Sequence, residues 1–115
     1  MKNKPFTQRF RFALQGIRIA WNSESSFRTQ ILLGTGTLGV LIYFRPEPLW
    51  WAIFILIIGA VLAAEMINTS IEKMLDLLHP EEHPLIAQAK DCAAGAVLIL
   101  SLCAIGVMMA FLYSR

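Results

Sequence analysis

The chain has 115 residues, 57% of them hydrophobic, and a mean hydropathy of +0.59. This length fits one domain, but 16% charged residues are too few to cover the surface of a small soluble domain. A formal net charge of +2 argues against a nucleic-acid-binding protein. The composition therefore predicts a single domain, residues 1–115, embedded in a lipid bilayer.

The first segment, residues 6–25, has the pattern of an amphipathic helix. Its apolar side chains fall on one helical face, and polar side chains such as Arg11 and Arg18 fall opposite. We expect this helix to lie on the membrane surface. Phe12 falls on the polar side, which predicts a contact with a partner, a ligand or the rest of the protein. No cleavable signal peptide is expected, because the segment lacks a continuous apolar core and a cleavage site.

Three apolar stretches follow, and we predict that they cross the membrane at residues 28–44, 49–78 and 88–113. The uncharged part of the first stretch covers roughly 24 Å, so it spans only with help from its flanks. Pro46 and Pro48 break the chain after it. The predicted fold class is an all-α integral membrane protein with an amphipathic surface helix and three transmembrane helices.

Basic residues are unevenly distributed around these stretches. With three spans, the N-terminal segment and the loop after the second span share one side of the membrane. That side carries Lys2, Lys4, Arg9, Arg11, Arg18, Arg28, Lys73 and Lys90, and the other carries only Arg45 and Arg115. The positive-inside rule therefore predicts that the N-terminus and the 79–84 loop are cytoplasmic, on the side where ATP is found.

Polar residues form a stripe where the second apolar stretch ends. They are Glu65, Asn68, Glu72 and Asp76, which fall within roughly 80° of one another on a helix. A carboxylate inside a span costs about 2.5 to 3.5 kcal/mol on insertion scales. One interpretation is the solvated face of a helix leaving the membrane. The other is a cation site, because clustered carboxylate and amide oxygens suit Mg²⁺.

Lys90 and Asp91 stand at the start of the last stretch, on the same predicted side as the stripe. Lys90 is either a counter-ion for the carboxylates or a phosphate contact. Phosphoryl transfer needs a cation, a lysine on a phosphate, and a carboxylate that deprotonates the attacking hydroxyl. Glu24 and Arg28, four residues apart, predict either a helix ion pair or a further carboxylate for the cation site.

Three other patterns resemble known functional motifs or a cysteine pair, but each has a better explanation. Gly34, Gly36 and Gly39 match a dinucleotide fingerprint but lie inside an apolar stretch, which favours helix packing. Cys92 and Cys103 are too far apart on one helix to form a disulfide.

The 79–84 loop carries the third pattern. His79, Glu82 and His83 match a zinc-protease motif that requires both histidines on one helical face. Pro80 follows the first histidine, so we expect a nucleotide-contacting turn rather than a zinc site.

Residues 65–72 (EMINTSIE), together with Asp76, His83 and residues 89–91 (AKD), resemble the prokaryotic diacylglycerol kinase and undecaprenol kinase family. The resemblance covers nearly the whole chain, since it extends to Gly16, Ala20, Trp21, Glu24, Phe27 and Arg28. It implies a multi-pass protein of the bacterial inner membrane. It also implies a homotrimer whose active sites lie at the cytoplasmic interface and combine neighbouring protomers.

The resemblance also assigns roles to residues. It implies that Glu65 is the proton acceptor and that Glu24 and Glu72 hold Mg²⁺ and ATP. It implies that the nucleotide and phosphate site further contains Asn68, Glu81, Glu82, His83, Lys90 and Asp91, with Asp76 and Arg28 in support.

The substrate follows less directly from the resemblance. Four residues look like the diacylglycerol branch, namely Trp21, Glu24, Phe27 and Arg28. Three segments look like the undecaprenol branch, namely residues 68–69, 83–84 and 93–98. We expect a kinase that converts diacylglycerol to phosphatidic acid, with undecaprenol as the alternative substrate. A small proton-coupled transporter and a non-catalytic membrane adaptor are the alternatives from other classes.

Overall fold

The computed structural model describes residues 3–115, so Lys2, one of the predicted cytoplasmic basic residues, lies outside the described range. The described residues form four helices and no strand. The helices are α1 (Phe6–Ser23), α2 (Ser25–Phe44), α3 (Pro48–Leu78) and α4 (Pro84–Tyr113). This confirms the predicted all-α fold class, and α4 begins four residues before the predicted start at residue 88.

The helix boundaries follow from backbone chemistry. Glu24 is extended (φ −124°, ψ 111°) and separates α1 from α2. Arg45 ends α2 in the left-handed region, with φ 50° and its backbone N–H donating to the Leu41 carbonyl. Pro48 and Pro84 stand at the first positions of α3 and α4, where a missing N–H and a fixed φ are tolerated.

The central helix of the chain is α3. It packs along α4 most extensively and also contacts α1 and α2. Within the described residues, α4 has backbone contacts with no other helix than α3. As a result α2 and α4 flank α3 and diverge from each other, and a groove of about 290 Å³ lies between them with Ile58 and Val61 at its base. Gln30 bridges this groove by donating to the Ser101 hydroxyl at 3.2 Å.

The best-packed region lies near the α2–α3 turn and the end of α4. Leu41 of α2, Phe54 of α3 and Phe111 of α4 are buried there against one another. Phe54 and Phe111 meet edge to face with ring centroids 5.6 Å apart, a favourable aromatic geometry. Arg115 extends this cluster, since its guanidinium lies over the Phe111 ring and donates to Glu47 at 3.2 Å. The ends of α3 and α4 are therefore joined here.

Of the three glycines in the fingerprint pattern, one has a clear packing role. A Cβ built on Gly34 would lie 3.0 Å from the Ile58 Cγ2 atom, whereas one on Gly36 or Gly39 would meet nothing within 4 Å. Gly34 therefore lets α2 approach α3 closely. Within the glycine pattern, Gly34 thus has the helix-packing role predicted from the sequence.

The helix faces fit a membrane protein. Both α3 and α4 are long and apolar enough to cross a bilayer, and few of their apolar side chains are fully buried within the chain. The 20 residues of α2 include Arg28 and Gln30 and are less apolar, so the predicted first span remains a prediction. On α1, Ala20 is buried and Gly16 faces Met66 of α3. Phe12 falls on that face at helical spacing but is 38% exposed, so the predicted contact with a partner, a ligand or the rest of the protein stays a prediction.

Candidate active site

The predicted polar stripe runs along α3 with decreasing burial. Glu65 is only 3% exposed, Asn68 and Glu72 are partly buried, and Asp76 is exposed. Thr69, on the same part of the helix, is also buried. A buried carboxylate at the start of the stripe is costly unless it is hydrogen-bonded. The solvated-face interpretation therefore fits Asp76 but not Glu65.

Glu65 is satisfied from a neighbouring helix. The Ser26 hydroxyl, at the start of α2, donates to the Glu65 Oε2 atom at 3.0 Å. The Thr69 hydroxyl donates to the Glu65 backbone carbonyl at 2.9 Å. Neither contact was predicted from the sequence. The sequence does show polar residues just before the first apolar stretch, and Ser26 is one of them. Helical periodicity, however, does not tell which residues of different helices contact each other.

Asn68 and Glu72 form a second pair, one turn further along. The Asn68 amide donates to the Glu72 Oε1 atom at 3.3 Å. The Asn68 carbonyl oxygen, Oδ1, is buried and has no hydrogen-bond partner among the described residues. This unpartnered oxygen and the adjacent Glu72 carboxylate together form a set of hard oxygen donors. Mg²⁺ prefers donors of this type. The residues present therefore fit this ion.

Asp76 and Lys90 connect the end of the stripe to α4. The Lys90 ammonium donates to the Asp76 Oδ1 atom at 2.6 Å. This contact matches one of the two predicted roles of Lys90, that of a counter-ion for the carboxylates. It also places a flexible cation on the side of α4 that faces the stripe, where a phosphate group can compete for it.

The 79–84 loop forms the wall of a cleft of about 650 Å³. Its lining includes Asp76, His79, Glu81, Glu82, His83 and Lys90. His83 caps α4, because its Nδ1 atom accepts from the Leu85 backbone N–H at 3.1 Å. The lining does not include Glu65, Asn68 or Glu72.

The zinc motif is not assembled. His79 lies at the end of α3 and His83 at the start of α4, so they do not share a helical face. Across residues 3–115 no three His, Cys, Asp or Glu side chains are grouped to hold a metal by themselves. Cys92 and Cys103 are both free, as predicted.

Of the two alternatives predicted for Glu24 and Arg28, the helix ion pair does not form. Within the described range, no ion pair joins these side chains, and the Arg28 Nη1 atom instead donates to the backbone carbonyls of Trp21 and Asn22. The carbonyls at the end of α1 lack partners within the helix, and a guanidinium carries several donors in a rigid fork. Glu24 is left partly exposed at the junction of α1 and α2. Asp91 is exposed beside Lys90, and the described hydrogen bonds include none from its side chain.

Carboxylates, oxygen donors suited to a divalent cation and a lysine are the types of group that phosphoryl transfer uses. Sequence comparison agrees. The prokaryotic diacylglycerol kinase family matches residues 11–112. A diacylglycerol kinase of Helicobacter pylori (strain ATCC 700392 / 26695) is 36% identical over 101 residues, covering 85% of this chain and 79% of its own.

Other relatives match parts or all of the same range. The undecaprenol kinase of Bacillus subtilis (strain 168) is 43% identical over 61 residues, covering 51% of this chain and 50% of its own. The diacylglycerol kinase of Escherichia coli (strain K12) is 26% identical over 104 residues, covering 90% of this chain and 85% of its own.

The chain belongs to the prokaryotic diacylglycerol kinase family. This family consists of bacterial membrane enzymes that phosphorylate lipids, so the predicted enzyme class, lipid kinase, is confirmed. The kinase chemistry of the family implies ATP as the phosphoryl donor. The transporter and adaptor alternatives have no support from these relatives.

Proposed function

We propose that this enzyme transfers the γ-phosphoryl group of ATP to the hydroxyl of diacylglycerol and so produces phosphatidic acid. The observation that carries the proposal is the buried, hydrogen-bonded Glu65 carboxylate on a membrane helix, in a chain of this kinase family. The matches to diacylglycerol kinases cover most of the chain, which favours this lipid. Undecaprenol is the second candidate, because the match to the undecaprenol kinase has the higher identity over a shorter range.

In the proposed reaction, Glu65 is the general base. It accepts the proton of the lipid hydroxyl while the hydroxyl oxygen attacks the γ-phosphorus atom. The bond between the γ-phosphorus and the bridging oxygen breaks, and ADP leaves. Glu65 follows the uninterrupted apolar part of α3, so we place it at the depth where the lipid carries its hydroxyl. The low exposure of Glu65 also keeps competing water away from the proton transfer.

In this proposal Glu24 and Glu72 would hold Mg²⁺ together with ATP. The ion would supply positive charge that neutralises the phosphate oxygens. The Asn68 amide donates to Glu72 and its buried carbonyl oxygen has no partner in the described part of the chain, so this oxygen is a further candidate donor to the ion. Arg28 supports Glu24 by tying down the end of α1.

The loop and α4 bind the nucleotide. Lys90 exchanges its contact with Asp76 for a phosphate oxygen, and Asp91 lies beside it. Glu81, Glu82 and His83 contact the nucleotide from the loop, where the cleft has room for it.

The functional unit that we propose is a homotrimer in the bacterial inner membrane. The cleft lining contains Lys90 but not Glu65, so a neighbouring protomer that supplies one of them would complete the site. Phe111 is the one buried residue of α4, so the rest of this apolar helix is not fully covered within the described part of the chain. Such a surface can be buried against other copies of the protein as well as against lipid. The excess of basic residues favours a cytoplasmic N-terminus and active site.

A two-lipid assay tests the proposed function. The purified protein in mixed micelles receives ATP labelled in the γ position and either diacylglycerol or undecaprenol, with and without Mg²⁺. We expect Mg²⁺-dependent label transfer to diacylglycerol, and we expect Glu72→Gln to abolish it. Transfer to undecaprenol alone would assign the second substrate. The absence of transfer to both lipids, with proton-coupled uptake in proteoliposomes, would replace the kinase proposal by a transporter.

A further inference from the structure

The Ser26 hydroxyl of α2 has a different hydrogen-bond partner from the threonine hydroxyls of the same helix. The hydroxyls of Thr29, Thr35 and Thr37 each donate to a backbone carbonyl four residues earlier in their own helix. The Ser26 hydroxyl instead crosses to α3 and donates to the Glu65 Oε2 atom at 3.0 Å. Ser26 is the second residue of α2, so its own helix has no carbonyl four residues earlier, and its hydroxyl is used for a contact between helices instead.

The Ser26 contact acts on one of the two Glu65 oxygens. Glu65 is 3% exposed, and no other side chain donates to its carboxylate in the described hydrogen bonds. With Oε2 held, the carboxylate cannot rotate freely about its last bond, and Oε1 is left to accept a proton. Hydrogen bonds to an ionised acceptor are roughly twice as strong as neutral ones. We infer that Ser26 is a positioning residue that orients the Glu65 carboxylate toward the lipid hydroxyl.

The position of Ser26 in the chain gives this contact a second effect. Ser26 lies between Glu24, at the junction of α1 and α2, and Arg28, which holds the end of α1. Its bond to α3 therefore ties the start of α2, two residues after Glu24, to the part of α3 that carries Glu65. In the proposed reaction Glu65 receives the proton and Glu24 holds the ion. A hydroxyl at position 26 thus connects the two chain segments that carry these groups while touching neither substrate.

This inference rests on the proposed role of Glu65. The experiment distinguishes a failure of the inference about Ser26 from a failure of the proposed function. Ser26→Ala removes the hydroxyl, whereas Ser26→Thr keeps it, and the exposed position leaves room for the extra methyl group. Ser25→Ala is the matched control, because Ser25 precedes it on α2 and is exposed, and its side chain has no hydrogen bond to α3. The readouts are kcat, the KM for ATP, the KM for the lipid, and the thermal unfolding midpoint in micelles.

We expect Ser26→Ala to lower kcat by roughly tenfold to a hundredfold with little change in the KM for ATP, since it disturbs the orientation of the base. We expect Ser26→Thr and Ser25→Ala to stay near wild type. Equal activity of Ser26→Ala and Ser25→Ala would overturn the inference, as would a kcat loss in both Ser26 variants that follows the unfolding midpoint. An inactive wild type with both lipids would overturn the proposed function instead.

Discussion

Lys90 of α4 donates to Asp76 of α3 across the two helices at 2.6 Å, beside the loop that joins them. The contact holds the amine at the rim of the cleft next to Glu82 and His83. Asp76 is exposed and Lys90 is partly exposed, so the contact contributes little to folding and its importance lies in where it keeps the cation.

Lys90→Ala should therefore raise the KM for ATP by roughly tenfold, because a charge-assisted contact to phosphate is lost. Asp76→Asn should have a smaller effect, since the lysine keeps its charge but loses its anchor. Initial rates over a range of ATP concentrations measure both. Lys73→Ala, an exposed lysine of α3, is the control and should leave the KM unchanged. An equal rise for Lys73→Ala would point to general electrostatics rather than a phosphate contact.

Glu65→Gln should lower kcat by roughly 10²- to 10⁴-fold, the usual contribution of a general base. The amide keeps the shape of the side chain and can still accept from Ser26, so folding should be preserved. The measurement is label transfer to the preferred lipid at saturating ATP. Glu47→Gln is the matched control, because Glu47 contacts Arg115 far from the stripe. Substantial activity of Glu65→Gln would move the base to another residue.

Removal of Mg²⁺ with a chelator should stop phosphoryl transfer, and its replacement should restore it. Glu24→Gln should raise the Mg²⁺ concentration needed for half-maximal activity, because one negatively charged oxygen donor is lost from a site with few protein ligands. A Mg²⁺ titration at constant ATP measures this shift. If the titration curve of Glu24→Gln coincides with that of wild type, Glu24 does not hold the ion.

Gly34→Ala should reduce the stability of the helix bundle. The added Cβ would lie 3.0 Å from Ile58 Cγ2, and overpacking of this kind costs about 1 to 3 kcal/mol. Gly36→Ala, on the open side of the same helix, should be neutral or slightly stabilising. Denaturant unfolding in micelles compares the two variants. Equal free energies of unfolding would show that α2 and α3 are less closely packed than described.

The fold could be predicted from the sequence to a large extent, because each helix has its own signal. The proline pairs around residue 47 and at residues 80 and 84, together with the apolar runs, mark where α3 and α4 begin and end. The stripe of polar residues on α3 was visible for the same reason, since helical periodicity places them on one face.

The contacts between helices could not be predicted in this way. Ser26 and Glu65 are 39 positions apart, and nothing in either local pattern links them. Arg28 had an acidic residue at helical spacing, but the unsatisfied carbonyls at the end of α1 were better acceptors for it. Both contacts depend on how α1 and α2 meet α3, which is a property of three-dimensional packing rather than of periodicity.

The cluster of Leu41, Phe54 and Phe111 lies at the opposite end of the bundle from the chemistry. Phe54 and Glu65 are separated by roughly 16 Å along α3 at the usual rise of a helix. Substitutions in the polar stripe therefore leave the side-chain contacts of this cluster unchanged. The residues that pack the bundle most closely are thus separate from those proposed to carry the reaction.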